Sequence, residues 1–210
     1  IYNKIKPKFL AVSGINLNTA GKIFERLGKI NLFSHYYIRN PILKSKISKN
    51  LDNSKTRINS NNILELTLKT TNKIIKLPKS NYYPIKSKIF YIKKYLKNLY
   101  YKYFVMNFYN GYKLEFFFIC RKIEIEKYNI KILRIIDFHG TLPKKACVLN
   151  ALTNYLIEND IEYIDILCHG FDKNVLENVG FLKKTKNYIL VKVDNKKFKV
   201  YPDRVLFRKL

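Results

Sequence analysis

The stretch "RIIDFHGTLPKKA", Arg134 to Ala146, brings a carboxylate, an imidazole, a glycine and two lysines into one turn of chain. An apolar strand ends at His139-Gly140, and a helix starts a few residues later. Strand alternation puts Asp137 and His139 on one face and Ile136 and Phe138 on the other. A carboxylate or an imidazole at a strand end can take a proton near neutrality, which makes Asp137 the first candidate base and His139 the second. Each has an ordinary alternative: an Asp at a strand end caps a turn, and a His beside Gly faces solvent. A helix start carries free N–H donors and partial positive charge, so this turn is also placed to hold an anion. Gly140 permits close approach of backbone, Thr141 is placed to N-cap the helix, and Pro143 suits its first turn. Lys144 and Lys145 oppose the macrodipole there but can pair with phosphate.

A second strand, "IEYIDILCHG", Ile161 to Gly170, also closes in His-Gly. Asp165 and His169 share one of its faces, opposite Cys168, whose apolar surroundings fit an inert buried thiol better than a nucleophile. Tyr109, in the Gly turn "YNGYK", can line a sugar pocket or simply pack. Arg121 can reach a substrate phosphate or extend from a sheet edge to water.

The elements that must position these residues follow from hydrophobic period. "ILELTLK" (63–69) alternates like a strand. Ile85, Ile89, Ile92, Leu96, Leu99 and Tyr103 mark the apolar stripe of a helix, with Lys86, Lys93, Lys94 and Lys97 towards solvent. Two strands, 113–125 and 130–138, form a hairpin through 126–129. A helix from 143 to 159 then leads to the strand 161–168, and this βαβ unit makes the two strands parallel. The result is an α/β protein: a mixed sheet with helices on both faces. Residues 42–62, rich in Lys, Ser and Asn, read as a linker or exposed loop.

The two ends of the chain resemble each other. "IFERLG" (23–28) lines up with "VLENVG" (175–180), "HYYI" from His35 with "NYIL" from Asn187, and "FLAVSG" (9–14) with "DILCHG" (165–170). Each copy reads as strand, Gly turn, short helix and aromatic strand, so duplication is the better reading.

Of 210 residues, 47% are hydrophobic, enough for one solid core, and no run is long and apolar enough for a membrane helix. The first residue is Ile1, and the chain is expected to begin inside a longer protein. Cys120, Cys147 and Cys168 are odd in number and widely spaced. They fit reduced cytoplasmic thiols, and neither a disulfide framework nor a metal site. The net charge of +26 comes from 34 Lys and only 7 Arg, alongside abundant Ile, Asn, Tyr and Phe. AT-rich codons encode all but Arg of these, and base readout favours Arg, so the charge argues only weakly for nucleic acid as a partner.

"LRIIDFHG" (133–140), "IEYIDILCHG" (161–170), "LENVGF" (176–181) and "LGKINLFSHYYIRNP" (27–41) resemble the GNAT superfamily of acyl-CoA-dependent N-acyltransferases. More narrowly, they are similar to tandem-GNAT proteins of bacterial loci for cell-surface polysaccharide synthesis. The resemblance implies that 1–41 is the C-terminal part of a first lobe and 63–210 a second lobe. Its sheet would be mixed and mostly antiparallel, with one parallel strand pair splayed and helices flanking it. Acetyl-CoA or another acyl-CoA would lie along the first splayed strand. Its pyrophosphate would rest at Gly140, Thr141, Lys144 and Lys145, and a backbone N–H near Phe138 would polarise the thioester. The acceptor would be the amine of an amino sugar or related precursor, attacking directly, with Asp137 or His139 as base and Tyr109, Arg121 and His169 towards the substrate. Partners are then this small molecule and the missing first lobe. One Gly in the turn, and no counterpart in "DKNVLENVG" to the family's helical tyrosine acid, favour an alternative: a non-catalytic lobe that binds substrate or supports the other lobe. A third reading is a basic polyanion-binding protein, for which strong salt dependence is the mark.

Overall fold

The computed structural model describes residues 34–48, 66–83, 85–143, 147–169 and 173–184, and four two-residue strands beyond them. The chain divides into two compact units, 1–32 with 188–203, and 33–187 with 204–210. In the first, only the antiparallel pair β9 (Lys192–Val193) and β10 (Lys196–Lys197) is described.

The second unit contains β1 (Ser34–Arg39), β2 (Thr67–Thr71), β3 (Tyr82–Tyr83), α1 (Lys88–Tyr91), β4 (Tyr103–Asn110), β5 (Lys113–Ile125), β6 (Ile130–Gly140), α2 (Cys147–Glu158), β7 (Ile161–His169), α3 (Lys173–Asn178) and β8 (Leu182–Lys183). Seven strands run in the order β2-β4-β5-β6-β7-β1-β8 in a mixed sheet that a short eighth strand joins beside β7. Along that order only β6 and β7 are parallel, and every other neighbour pair is antiparallel. The aromatic strand assigned from sequence to the first lobe is β1, bonded to β7 within this same sheet.

The expected hairpin forms with a 3-10 turn at Glu126–Tyr128 and Asn129 in the left-handed region (φ 48°), where Asn is well tolerated. The strand β4 was not expected. Its Val105, Met106, Asn107 and Phe108 are all buried, so no polar alternation marks it. The helix α2 starts at Cys147, and residues 144–146 lie outside the described residues.

Phe116, Phe118, Cys120, Leu133, Ile135 and Phe138 face α2 and α3 and form the main core with Leu149, Leu152 and Leu176. Phe117, Ile119 and Ile136 face the other way, against Tyr91 and Tyr95. Helices therefore cover both faces, as expected from the order of elements.

Of the sheet's register shifts, the two on β6 set which side chains reach which face near the candidate residues. Across β5 and β6, Ile119 pairs with Asp137 but Cys120 pairs with Ile135, which leaves Ile136 unmatched. Alternation slips by one there. Ile136 thus shares the face of Asp137 and His139, correcting the alternation read from sequence, while Phe138 lies opposite. Across β6 and β7, Lys131 pairs with Ile161 and Ile132 with Tyr163, so Glu162 is the extra residue.

The Glu162 carboxylate is where the chain after β1 is anchored. Its Oε1 accepts from the backbone N–H groups of Lys46, Ile47 and Ser48 (3.2, 3.0 and 2.7 Å) and from the Ser48 hydroxyl (2.6 Å). Consecutive N–H groups closing on one anion form a nest. Asn40 ties the same corner, donating to the carbonyls of Leu156 and Ile161 and accepting from Ile42 and Leu43 N–H. The first residues of the expected linker are thus pinned to the sheet, and 49–62 lie outside the described residues. Burial alone would raise the Glu162 carboxyl, but these donors outweigh it and hold it below its usual range. Glu162→Gln should cost about 1–3 kcal/mol in urea unfolding, because it removes the charge those donors converge on. The wild-type contribution is present above the unfolded carboxyl value of about 4.3 and fades as pH falls through the lower folded value.

Candidate functional site

The face of β6 opposite α2 carries two buried polar clusters, and helix α1 explains the first. Ser87 caps α1, its hydroxyl accepting from Phe90 N–H at 3.2 Å. After one α-turn the helix widens into a π-turn, Ile92–Leu96, closed by Lys97 N–H to Ile92 carbonyl at 2.9 Å. Such turns re-aim side chains and recur at functional sites. Here Tyr91 and Tyr95 both turn to the sheet, ring centroids 6.3 Å apart. The apolar stripe expected from Ile85, Ile89 and Leu99 is exposed instead, and Leu99 and Tyr103 lie beyond the helix. Only tyrosine offers both an apolar ring and a hydroxyl for the charged groups waiting on β6.

Asp137 receives four bonds. Lys86 Nζ lies 2.6 Å from Oδ1 and 2.7 Å from Oδ2, Tyr95 donates its hydroxyl to Oδ2 at 2.6 Å, and Phe138 N–H donates to Oδ1 at 2.8 Å. Lys86, expected in solvent, is thus turned inward, its side chain 13% exposed. His139 lies beside this pair, stacked on Phe117. Its Nε2 is 3.0 Å from the Pro78 carbonyl, which can only accept, so Nε2 carries the proton. Nδ1 faces the Tyr91 hydroxyl at 3.1 Å, and that hydroxyl also reaches the Phe138 carbonyl at 3.2 Å. Burial lowers the imidazole below its usual value, with the Pro78 carbonyl and Asp137 opposing it. Burial, reinforced by Asp137, pushes both tyrosine hydroxyls far up, so they act here as donors and stay protonated.

The second cluster joins three strands. Arg134 clamps Asp165 with two parallel bonds, Nε to Oδ1 at 2.9 Å and Nη2 to Oδ2 at 2.7 Å. His35 on β1 donates from Nε2 to Oδ2 at 3.2 Å, and its Nδ1 is enclosed without a partner. Burial would raise the Asp165 carboxyl, but Arg134 and His35 outweigh it and hold it well below the usual range. An Arg inside "LRIIDF" and an Asp inside "YIDIL" were the available signal: charges in adjacent apolar strands must meet to be buried at all.

The parallel pairing of β6 and β7 stops at Ile135 and Ile166. Beyond it β6 runs on to Gly140 with β5 alone, so the two strands part at their C-terminal ends. A short strand, β11 (Val205–Leu206), pairs in parallel with the end of β7 at Cys168 and His169. The next, β12 (Arg208–Lys209), pairs with β3.

The remaining candidate residues scatter. Phe138 is buried in the main core, with its N–H taken by Asp137. Gly140 (φ +117°) is buried against β5, where an added Cβ would lie 2.5 Å from the Glu115 carbonyl oxygen and Phe116 Cα. Its conformation has a packing cause, independent of any ligand. The Thr141 hydroxyl donates to the Lys79 carbonyl at 3.4 Å. Arg121 sits 4.5 Å over the Tyr101 ring, opposite Tyr103. Tyr109 is six residues further along β4, roughly 20 Å away, so the two do not share a pocket. Lys144, Lys145 and the side chain of His169 lie outside the described residues.

The fold defines a class: an α/β protein on a mixed, mostly antiparallel sheet, in which β7 pairs in parallel with β6 and, at its end, with β11. No protein-family model matches the chain, and no curated protein matches its sequence. Among the described residues, no helix is long and apolar enough to cross a membrane.

Proposed function

We propose that this unit is a GNAT-like lobe serving acyl-CoA-dependent N-acylation of an amino sugar or related precursor. The observation that carries the reading is the parting of β6 and β7 beyond Ile135 and Ile166, beside a buried imidazole and carboxylate. An extended pantetheine arm needs a strand edge that no neighbouring strand pairs with, and β6 beyond Ile135 offers one on its β7 side. Of the two candidate bases, His139 is the better fitted, since its surroundings favour the neutral imidazole. Asp137 has its oxygens saturated and serves to hold Lys86, Tyr95 and the start of the parted segment. Attack by the amine on the thioester forms the amide and releases CoA, the ammonium proton passing to the base.

A second reading is a non-catalytic lobe. It is favoured by β11, which lies along the freed edge of β7, and by the Phe138 N–H being already bonded.

Calorimetric titration with acetyl-CoA, paired with amide exchange, tests the proposal. Binding should protect the amides of 136–140 selectively. With an amino-sugar acceptor, free thiol should be released, and His139→Ala should lower kcat by about a hundredfold. Binding without turnover selects the second reading; absence of binding overturns the acyl-CoA assignment.

A further inference from the structure

The segment 66–102 holds ten lysines, no arginine and no acidic residue. Nine of those lysines are exposed, and the tenth is Lys86. The same segment holds six of the eight exposed large apolar side chains among the described residues. Ile75 is 80% exposed, Ile85 62%, Ile89 63%, Leu99 93% and Tyr100 87%. Their exposure has a structural cause. Tyr91 and Tyr95 take the inward face of α1 and its π-turn, which leaves Ile89 outward, and Ile85 is exposed just ahead of the Ser87 cap. Lys88 Nζ bonds the Ile75 carbonyl at 2.9 Å, fixing that isoleucine beside the helix. After the helix, Asn98 Oδ1 accepts from the N–H groups of Tyr100 and Tyr101 and holds the exposed Leu99-Tyr100 pair in a turn.

Exposed isoleucines and a tyrosine among lysines, in a segment with no acidic residue of its own, form the pattern of a surface that lies against an anionic bilayer. The apolar side chains enter the acyl boundary, the lysine stems extend so that their ammonium groups meet lipid phosphates, and tyrosine suits the headgroup level. We infer that the 73–101 face docks onto a membrane surface rich in anionic lipid. Nucleic acid fits this face less well: aliphatic side chains gain nothing from stacked bases, and the segment lacks the arginines that read or clamp them. The inference uses residues separate from the Asp137 and Asp165 clusters and stands independently of the acyl-transfer reading.

Co-sedimentation of the full chain with vesicles tests it. One set is phosphatidylcholine alone, the other an equimolar mixture with phosphatidylglycerol. Binding should be confined to the anionic vesicles and weaken on going from roughly 0.1 M to 1 M salt. The double variant Ile85→Ser, Ile89→Ser leaves the charge unchanged and should lower partitioning about tenfold. Lys88→Glu with Lys93→Glu should lower it about tenfold or more, whereas the same charge change at Lys113 and Lys127, outside the segment, should cost under about threefold. All six side chains are exposed, and unchanged circular dichroism verifies folding. Three results overturn the inference: no binding to anionic vesicles, binding that ignores the isoleucines, or equal loss from both lysine pairs. Preferential capture of single-stranded RNA, with the isoleucine variant unaffected, assigns the face to nucleic acid and overturns it as well.

Discussion

Asp165→Asn should destabilise the sheet-bearing unit by about 3–5 kcal/mol in chemical unfolding, because it strands the Arg134 guanidinium without a counter-charge. Arg134 and Asp165 are both almost fully buried, and their bidentate contact joins the two parallel strands where pairing is about to end. Removing one charge leaves the desolvation of the other in place. Removing both is milder. Adding Arg134→Met to the Asn variant should recover part of the loss, giving a coupling of about 1–3 kcal/mol between the sites. The pH dependence has a definite sign. The folded Asp165 carboxyl is held below its unfolded value of about 3.9, so its contribution is complete above that value and is lost as pH falls towards the folded one. The wild type should therefore show a steep acid limb below about pH 4 that Asp165→Asn flattens. Equal acid limbs in the two proteins would remove the pair from the account of stability.

Gly140→Ala should be nearly as severe, about 2–5 kcal/mol, from two causes acting together. The backbone has φ +117°, a region costly for any residue with a side chain. The new methyl would also meet the Glu115 carbonyl and the Phe116 backbone at 2.5 Å, and neither can swing aside. The added strain sits between β5 and the end of β6, so local exchange at 136–141 should rise before global unfolding does. A bulky residue at 140 is consequently no probe of a ligand: it would abolish binding by disturbing the strand. A thermal melt of the Ala variant matching the wild type would show that the neighbouring strands yield more easily than their spacing indicates.

Much of the architecture was legible because its signals are local. The β5–β6 hairpin announces itself in two apolar runs around a short polar turn, and α2 in the helically spaced Leu149, Leu152 and Leu156 ahead of the strand "IEYIDILC". What was missed depended on long-range partners. The stripe of α1 was assigned to isoleucines because they are the more apolar, yet the buried positions went to Tyr91 and Tyr95, whose hydroxyls meet Asp137 and His139. Nothing near Lys86 in sequence indicates a carboxylate 51 residues away. His35 and Glu162 drew no notice because their partners, Asp165 and the N–H groups of 46–48, are over a hundred residues distant. Asp137 and His139 were found by position at a strand end, and the structure brings them together, but in a phase that alternation alone misjudged at Ile136.

That misjudged phase bears on which changes the gene could tolerate. The bulge at Ile136 makes the two halves of β6 count residues separately: Leu133 and Ile135 on one register, Phe138 and Gly140 on the other. A change of residue type in this strand alters one side chain, while the loss or gain of a single codon between Ile135 and Asp137 would exchange one buried face for the other all the way to the turn. Aspartate and histidine would then enter the oily layer beneath α2, and Phe138 would face the tyrosines. The length of this strand is therefore a stricter inheritance than its composition, and in descendants of this chain it is the spacing from Arg134 to Asp137 that should hold.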